Sequence, residues 1–250
     1  MQKNNIIFLY AYIIEISYII RLFERGEPEF MIIAIDGPAA SGKSTTASLL
    51  AKKLGYIHLN SGLMYRAITY IFIENSFINS LPLSLNNFFT NLNLKFKGDD
   101  LNQVYYNNIN ITKELYFEKI NINIKTISNN LEIRTYLINL QRCLVDGKNV
   151  VCEGRDIGSV VFPNADFKFY LNASIESRVI RRYNELIKNN KDLKINELKK
   201  NIIKRDYNDM NRKISPLVKP DDCIEIDTTE LTITKQVEYI YSIIEGINNK

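Results

Sequence analysis

Histidine occurs once in the 250 residues, as His58. A histidine-rich metal site and any Ser-His-Asp arrangement that depends on another histidine are thereby excluded. Only three cysteines are present, Cys143, Cys152 and Cys223, too few and too scattered for a zinc pattern or a disulfide framework. Reduced thiols in a cytosolic protein are the expectation. No repeat and no Pro/Gly/Ser-rich linker divides the chain, which reads as one domain or one domain with an insert. The apolar run Ile6 to Ile20 (IIFLYAYIIEISYII) is interrupted by Glu15 and Ser17. It falls short of the roughly 20 apolar residues of a spanning helix, and no small-residue cleavage site follows it. Residues 1–30 are therefore read as an extension, with the functional chain starting at Met31. A helix packed on the body and a membrane anchor are the alternatives.

Basic residues outnumber acidic ones by 32 to 28, a mild excess that suits anionic substrates without demanding nucleic acid. No dense basic-aromatic stripe of the nucleic-acid-binding kind is present. Short β-branched runs at 31–35, 56–59, 149–152, 167–171 and 223–226 alternate with helical patterns at 46–54, 61–71, 132–144, 175–188, 195–211 and 233–247. Such alternation means βαβ units and a parallel sheet. Residues 91–111 differ. Leu94 and Phe96 alternate with polar neighbours, and turns at 98–100 and 107–108 bracket Val104 to Tyr106, which predicts a small antiparallel sheet inserted between helices.

The string GPAASGKS, Gly37 to Ser44, fits the phosphate-binding pattern G-x-x-x-x-G-K-[ST]. Its context is right, with a buried-type strand MIIAI before it and the helix former run TASLLAKKL after it, stopped at Gly55. Two glycines let the backbone curl so that N–H groups face an anion at a helix N-terminus. Lys43 is positioned to reach a β/γ-phosphate, and Ser44 to place a hydroxyl on Mg²⁺.

Arginine is used sparingly, 11 of the 32 basic residues, and in telling places. Its planar fork grips phosphate oxygens bidentately. Arg155 directly follows the third buried strand, where ligands of open α/β sheets sit. Arg178, Arg181 and Arg182 share a helix face, where a polyphosphate would neutralise their mutual repulsion. Arg205, Asp206, Asp209 and Arg212 repeat a charge pair along one helix, a pattern that intrahelical salt bridges would explain equally well. A phosphate loop, a strand-end Arg-Asp and an arginine trio are the parts that phosphoryl transfer needs. No N-K-x-D guanine signature occurs, so a kinase fits better than a switch.

Six strings in order, DGPAASGKS (36–44), NSGLMYR (60–66), EGRDIG (153–158), VFP (161–163), RD…D…R (205–212) and SPL (215–217), resemble bacterial cytidylate kinases, from Met31 to about Gly246. The resemblance implies a P-loop NTPase-type α/β fold, a five-stranded parallel sheet flanked by helices. It also implies an inserted nucleoside-monophosphate-binding subdomain (about 60–145) holding the antiparallel sheet, and a helical lid (about 174–212). The implied activity is transfer of the ATP γ-phosphoryl to CMP or dCMP with Mg²⁺, by a cytoplasmic monomer with no nucleic-acid partner and no stable membrane association. By position, Gly37, Pro38, Ala39, Ala40, Ser41, Gly42, Lys43, Ser44 and Thr45 would hold the ATP phosphates. Ser61, Arg66, Arg155 and Arg212 would hold CMP and its phosphate. Ser128, Arg134 and Asp156 would read the cytosine edge, and Asp209 the sugar hydroxyls. Arg178, Arg181 and Arg182 would belong to the lid and act with Lys43 and Arg155 in catalysis. Asn60 and Glu153 stand where the family usually carries Asp, and the stretch from Ser128 to Arg134 is about three residues shorter. Competing readings are another small-molecule P-loop kinase, acting on UMP or shikimate, and a nucleotide-dependent module that binds a partner such as RNA.

Overall fold

A computed structural model describes residues 30–82, 84–98, 100–187 and 193–248. Residues 1–29 of the extension 1–30 lie outside the described residues. Five parallel strands form the main sheet in the order β2-β6-β1-β7-β8. They are β1 (Ile32–Asp36), β2 (Ile57–Asn60), β6 (Val150–Gly154), β7 (Phe167–Asn172) and β8 (Ile224–Asp227). β3 (Leu94–Lys97), β4 (Gln103–Tyr106) and β5 (Ile109–Asn110) make the antiparallel sheet expected inside 91–111.

The central strands read as continuous apolar runs because both of their faces are covered. Along β1, Ile33 and Ile35 face one side, packing with Leu50 and Ala51 of α1 (Lys43–Leu54) and Ile240 and Ile244 of α8 (Ile233–Asn248). Ala34 faces the other side, with Met64, Ile68 and Phe72 of α2 (Ser61–Glu74) and Leu137 of α5 (Leu131–Val145). Period-2 alternation along the strand thus builds a three-layer α/β/α body. The small sheet adds Phe96 and Val104 to the α2 side, beside Leu85 and Phe89 of α3 (Leu85–Thr90). A third apolar cluster joins α6 (Ile175–Leu186) to α7 (Ile195–Asn211) through Val179, Leu198 and Ile202, and it includes Ala39 of the phosphate loop.

Strand and helix boundaries fall within about three residues of the expected ones. The helix after the loop begins at Lys43 rather than Thr46, because the loop closes on the helix with Gly42 in the left-handed region. One helix was not anticipated, α4 (Glu118–Ser128). Its signal was present: Ile120, Ile124 and Ile127 recur at helical spacing, and Ile120 and Ile127 are buried.

Register fixes where the chemistry lies. Asp36 pairs with Gly154 across β1 and β6, and Asn60 with Glu153 across β2 and β6. The carboxyl ends of three neighbouring strands therefore open into one crevice, the ligand side of an open α/β sheet. Gly37 turns there with φ 152°, and a Cβ on it would stand 2.1 Å from the carbonyl oxygen of Leu171. Neither the backbone oxygen nor the dihedral tolerates a side chain. Gly37→Ala is expected to lower the unfolding free energy by at least about 1–3 kcal/mol, measured by urea denaturation. Wild-type stability in that variant would show that the loop relaxes freely.

Candidate active site

The phosphate loop is held from outside. Arg178 donates to the Ala39 carbonyl (3.1 Å) and to that of Ala173 (3.1 Å), and it forms a buried ion pair with Asp206. Asp206 in turn accepts the Ala39 N–H at 3.0 Å. The Ser41 carbonyl receives Thr228 Oγ1 (3.1 Å) and Arg181 (3.3 Å), and Arg181 also donates to the Thr228 carbonyl. Gln236 accepts from Thr46 at 2.7 Å and stands against Gly42. Inside the loop, Lys43 is buried and donates to the Pro38 carbonyl at 3.0 Å, while Ser44 and Thr45 are exposed at the start of α1. Burial, reinforced by the charge of Arg155, pushes the Lys43 ammonium down to about 7; Glu153 opposes the shift. A lysine so destabilised as a cation gains most when an anion arrives.

Across the crevice lies a second constellation. Asp156 is buried between Arg134, with which it pairs closely, and Arg212, whose Nη2 is 3.4 Å from Oδ1. Arg134 also donates to the Ser128 carbonyl at 3.1 Å, and its guanidinium lies 5.3 Å from the Tyr65 ring centroid. Arg155 Nε donates to Asp209 at 2.9 Å. Burial pushes the Asp209 carboxyl up, but Arg155, Arg205 and Arg212 outweigh it and hold the group below its usual range. Arg66 donates to the Leu115 carbonyl (3.0 Å) and to Asn121 (2.9 Å), and Ser61 Oγ donates to the Glu153 carbonyl (2.9 Å). Ser128 Oγ donates to Lys125 O.

Two sequence expectations are revised. The arginine trio does not present three free cations. Arg178 is buried against Ala39 and Asp206, Arg181 grips backbone carbonyls, and Arg182, partly buried, pairs with Glu185. The repulsion anticipated from the spacing is relieved by groups within the chain. The charge pairs of α7 are also not intrahelical: Asp206 goes to Arg178, Asp209 to Arg155 and Arg212 to Asp156. Helical spacing puts 205, 209 and 212 on one side, and the crevice supplies their partners. Two contributors had no role assigned from sequence. Arg205, singled out only as part of a charge pattern, shares the field of Arg155, Asp209, Arg66 and Arg182, and Tyr65, inside the string 60–66, backs Arg134.

A family model described as cytidylate kinase matches residues 33–246. The chain belongs to the cytidylate kinase family. It is 41% identical over 217 residues to the cytidylate kinase of Fusobacterium nucleatum, covering 87% of this chain and 98% of that one. It is 42% identical over 218 residues to the cytidylate kinase of Ligilactobacillus salivarius, covering 87% of this chain and 97% of the relative. Among solved structures, shikimate kinase from Acinetobacter baumannii aligns over 88% of this chain at 16% identity, with a TM-score of 0.47.

Against the cytidylate kinase pattern, the departures become physical. Asn60 caps α2, accepting the Leu63 N–H at 3.0 Å, a task an Asp performs equally well. The short stretch after Ser128 is a tight break in which Asn130 caps α5, and it still brings Ser128 to Arg134. A cavity of about 820 Å³ lies elsewhere, lined by Phe77, Phe88 and Tyr106 among others, and holds none of these residues. Among the described residues no group of three or more His, Cys, Asp or Glu side chains could hold a metal by itself. The Ser44 hydroxyl and the buried Glu153 carboxylate beside Lys43 offer hard oxygen donors, which fit Mg²⁺, an ion that keeps waters and takes substrate phosphates.

The Lys43 shift has a measurable consequence. The unfolded chain holds this proton up to the ordinary value of 10.5, and the folded chain releases it near 7. Between those values the unfolded state binds more protons, so this group adds stability as pH rises and loses it as pH falls through about 7. Urea unfolding of wild type and Lys43→Met from pH 7 to 9.5 should show the difference shifting steadily in favour of the wild type. A pH-independent difference would contradict the depressed lysine.

Proposed function

We propose that the chain transfers the γ-phosphoryl group of ATP to CMP or dCMP, giving ADP and CDP or dCDP. The observation that carries this reading is Asp156, a buried carboxylate between Arg134 and Arg212, on the strand-end segment that also bears Arg155. Cytosine presents an exocyclic amino donor beside a ring acceptor, and uracil the reverse. Asp156 is suited to accept from that amino group. Among the described residues Arg134 Nε is buried without a hydrogen-bond acceptor, which supports it as a donor toward a polar edge. Ser128 completes the base pocket.

In this reading Gly37 to Thr45 receive the ATP phosphates, and Lys43 exchanges its bond to Pro38 for phosphate oxygens. Ser44, with the Glu153 carboxylate that acts on Lys43, would hold Mg²⁺, which would neutralise charge on the β- and γ-phosphates. Ser61, Arg66, Arg155 and Arg212 hold the acceptor and its phosphate, with Arg205 beside them, and Asp209 meets the sugar. Arg182 is the lid arginine that would leave Glu185 and turn to the transferring group, while Arg178 and Arg181 keep the loop in shape. Catalysis then consists of positioning two nucleotides in line and stabilising charge on the transferred group. Residues about 60–145 serve as the acceptor subdomain and about 174–212 as a lid that excludes water. A cytoplasmic monomer with nucleotides as its partners completes the proposal.

Steady-state turnover with CMP, dCMP, UMP, AMP and GMP tests it. CMP and dCMP should lead UMP by about ten- to a few-hundred-fold in kcat/KM, the cost of facing a buried carboxylate with an acceptor. Purines should be poorer still. Asp156→Asn should narrow the CMP-to-UMP gap, because an amide offers uracil a donor. Equal kcat/KM for UMP and CMP in the wild type would refute the base-reading site.

A further inference from the structure

Asp36 is the last residue of β1 and the one immediately before the phosphate loop. Its carboxylate is 3% exposed and lies in the crevice, yet none of the roles above uses it. Both of its oxygens are committed. Oδ1 accepts the Ile157 N–H at 2.9 Å, and Oδ2 accepts the Gly158 N–H at 2.8 Å. These two amides directly follow Arg155 and Asp156. The neighbourhood is tight: a Cβ on Gly158 would stand 3.3 Å from Lys168 Cγ and Cδ and 3.5 Å from Asp36 Oδ2. The next residue of β1's continuation, Gly37, is wedged against Leu171.

We propose that Asp36 is a positioning residue for phosphoryl transfer, whose carboxylate fixes the segment bearing Arg155 and Asp156 against the start of the phosphate loop. Backbone pairing of β1 with β6 ends at Asp36 and Gly154, so beyond that point no ladder ties the two segments together. The two-oxygen clamp takes over where the ladder stops. It sets the distance between the donor side and the acceptor side of the reaction. A carboxylate is suited to this because it accepts at both oxygens. An asparagine has one acceptor oxygen, and its NH₂ would face the other N–H donor.

The inference rests on the reading of Asp156 as the residue that meets the base, and the test separates the two. Asp36→Asn is compared with wild type for fold, by thermal melting, and for kcat, KM(ATP) and the CMP-to-UMP ratio of kcat/KM. A displacement of the Arg155–Asp156 segment should lower kcat by about 10–100-fold, since misplacement by about 1 Å costs about that much. The CMP-to-UMP ratio should fall severalfold, with KM(ATP) within about threefold of wild type because the loop's own contacts remain. Loss of stability alone would not move substrate selectivity or KM(ATP) per folded molecule. Asp36→Glu, which keeps both acceptor oxygens but sets them one methylene further from the strand end, should move kcat and selectivity in the same direction by a smaller factor, and it decides the matter if Asp36→Asn does not fold. Folded variants with wild-type kcat and wild-type selectivity would overturn the role of Asp36. A wild type without preference for CMP would instead overturn the reading of Asp156, leaving the kcat of the two variants to judge the clamp.

Discussion

The constraint on which the structure depends is the curl of the loop from Gly37 to Gly42, whose backbone groups must find partners in distant segments of the chain. A curled backbone of that kind leaves its carbonyls pointing outward, and each needs a donor. Arg178 serves Ala39, Arg181 and Thr228 serve Ser41, and Lys43 serves Pro38. These donors come from α6, from the segment after β8, and from the first residue of α1. Parts of the C-terminal half of the chain are thereby committed to the shape of a six-residue loop near its start.

The buried ion pairs follow from the same requirement. Taking a guanidinium and a carboxylate out of water costs several kcal/mol per ion, and the attraction between them roughly offsets it. Such pairs contribute little net stability, but breaking one leaves a buried charge uncompensated. Arg178 with Asp206 fixes the α6–α7 hairpin to the loop, and Arg134 with Asp156 fixes α5 to the end of β6. Geometry is what these pairs supply. Between them Arg66, Arg155, Arg205 and Arg182 share one field with Asp209, an excess of cations that suits two nucleotides that each carry phosphate.

Much of this was legible in the chain. The phosphate loop announces itself because its chemistry is local: two glycines, a lysine and a hydroxyl within nine residues, between a strand and a helix. The parallel sheet was legible because strands buried on both faces read as uninterrupted apolar runs. The small antiparallel sheet showed itself by alternation and turns. Helix α4 escaped because the exposed Ile122 turns its helical stripe into the strand-like alternation Ile120-Ile122-Ile124.

The partners of the arginines were not legible. Spacing alone placed Arg178, Arg181 and Arg182 on one face and made them look equivalent. Packing separates them, since one is buried under the loop, one is spent on carbonyls and one remains at the surface. The charge pattern of 205–212 was open between intrahelical pairs and a site, and the ion pairs of Asp206, Asp209 and Arg212 reach other elements. Sequence by itself determined the fold class, the phosphate loop and the set of residues from which a site could be made, because periodicity and short motifs are properties of neighbouring residues. Only the tertiary structure decided which cations are free, which carboxylates are committed, and that Asp36 grips the Ile157 and Gly158 amides from 121 and 122 residues away, because burial and pairing are set by segments that meet only after the sheet has formed.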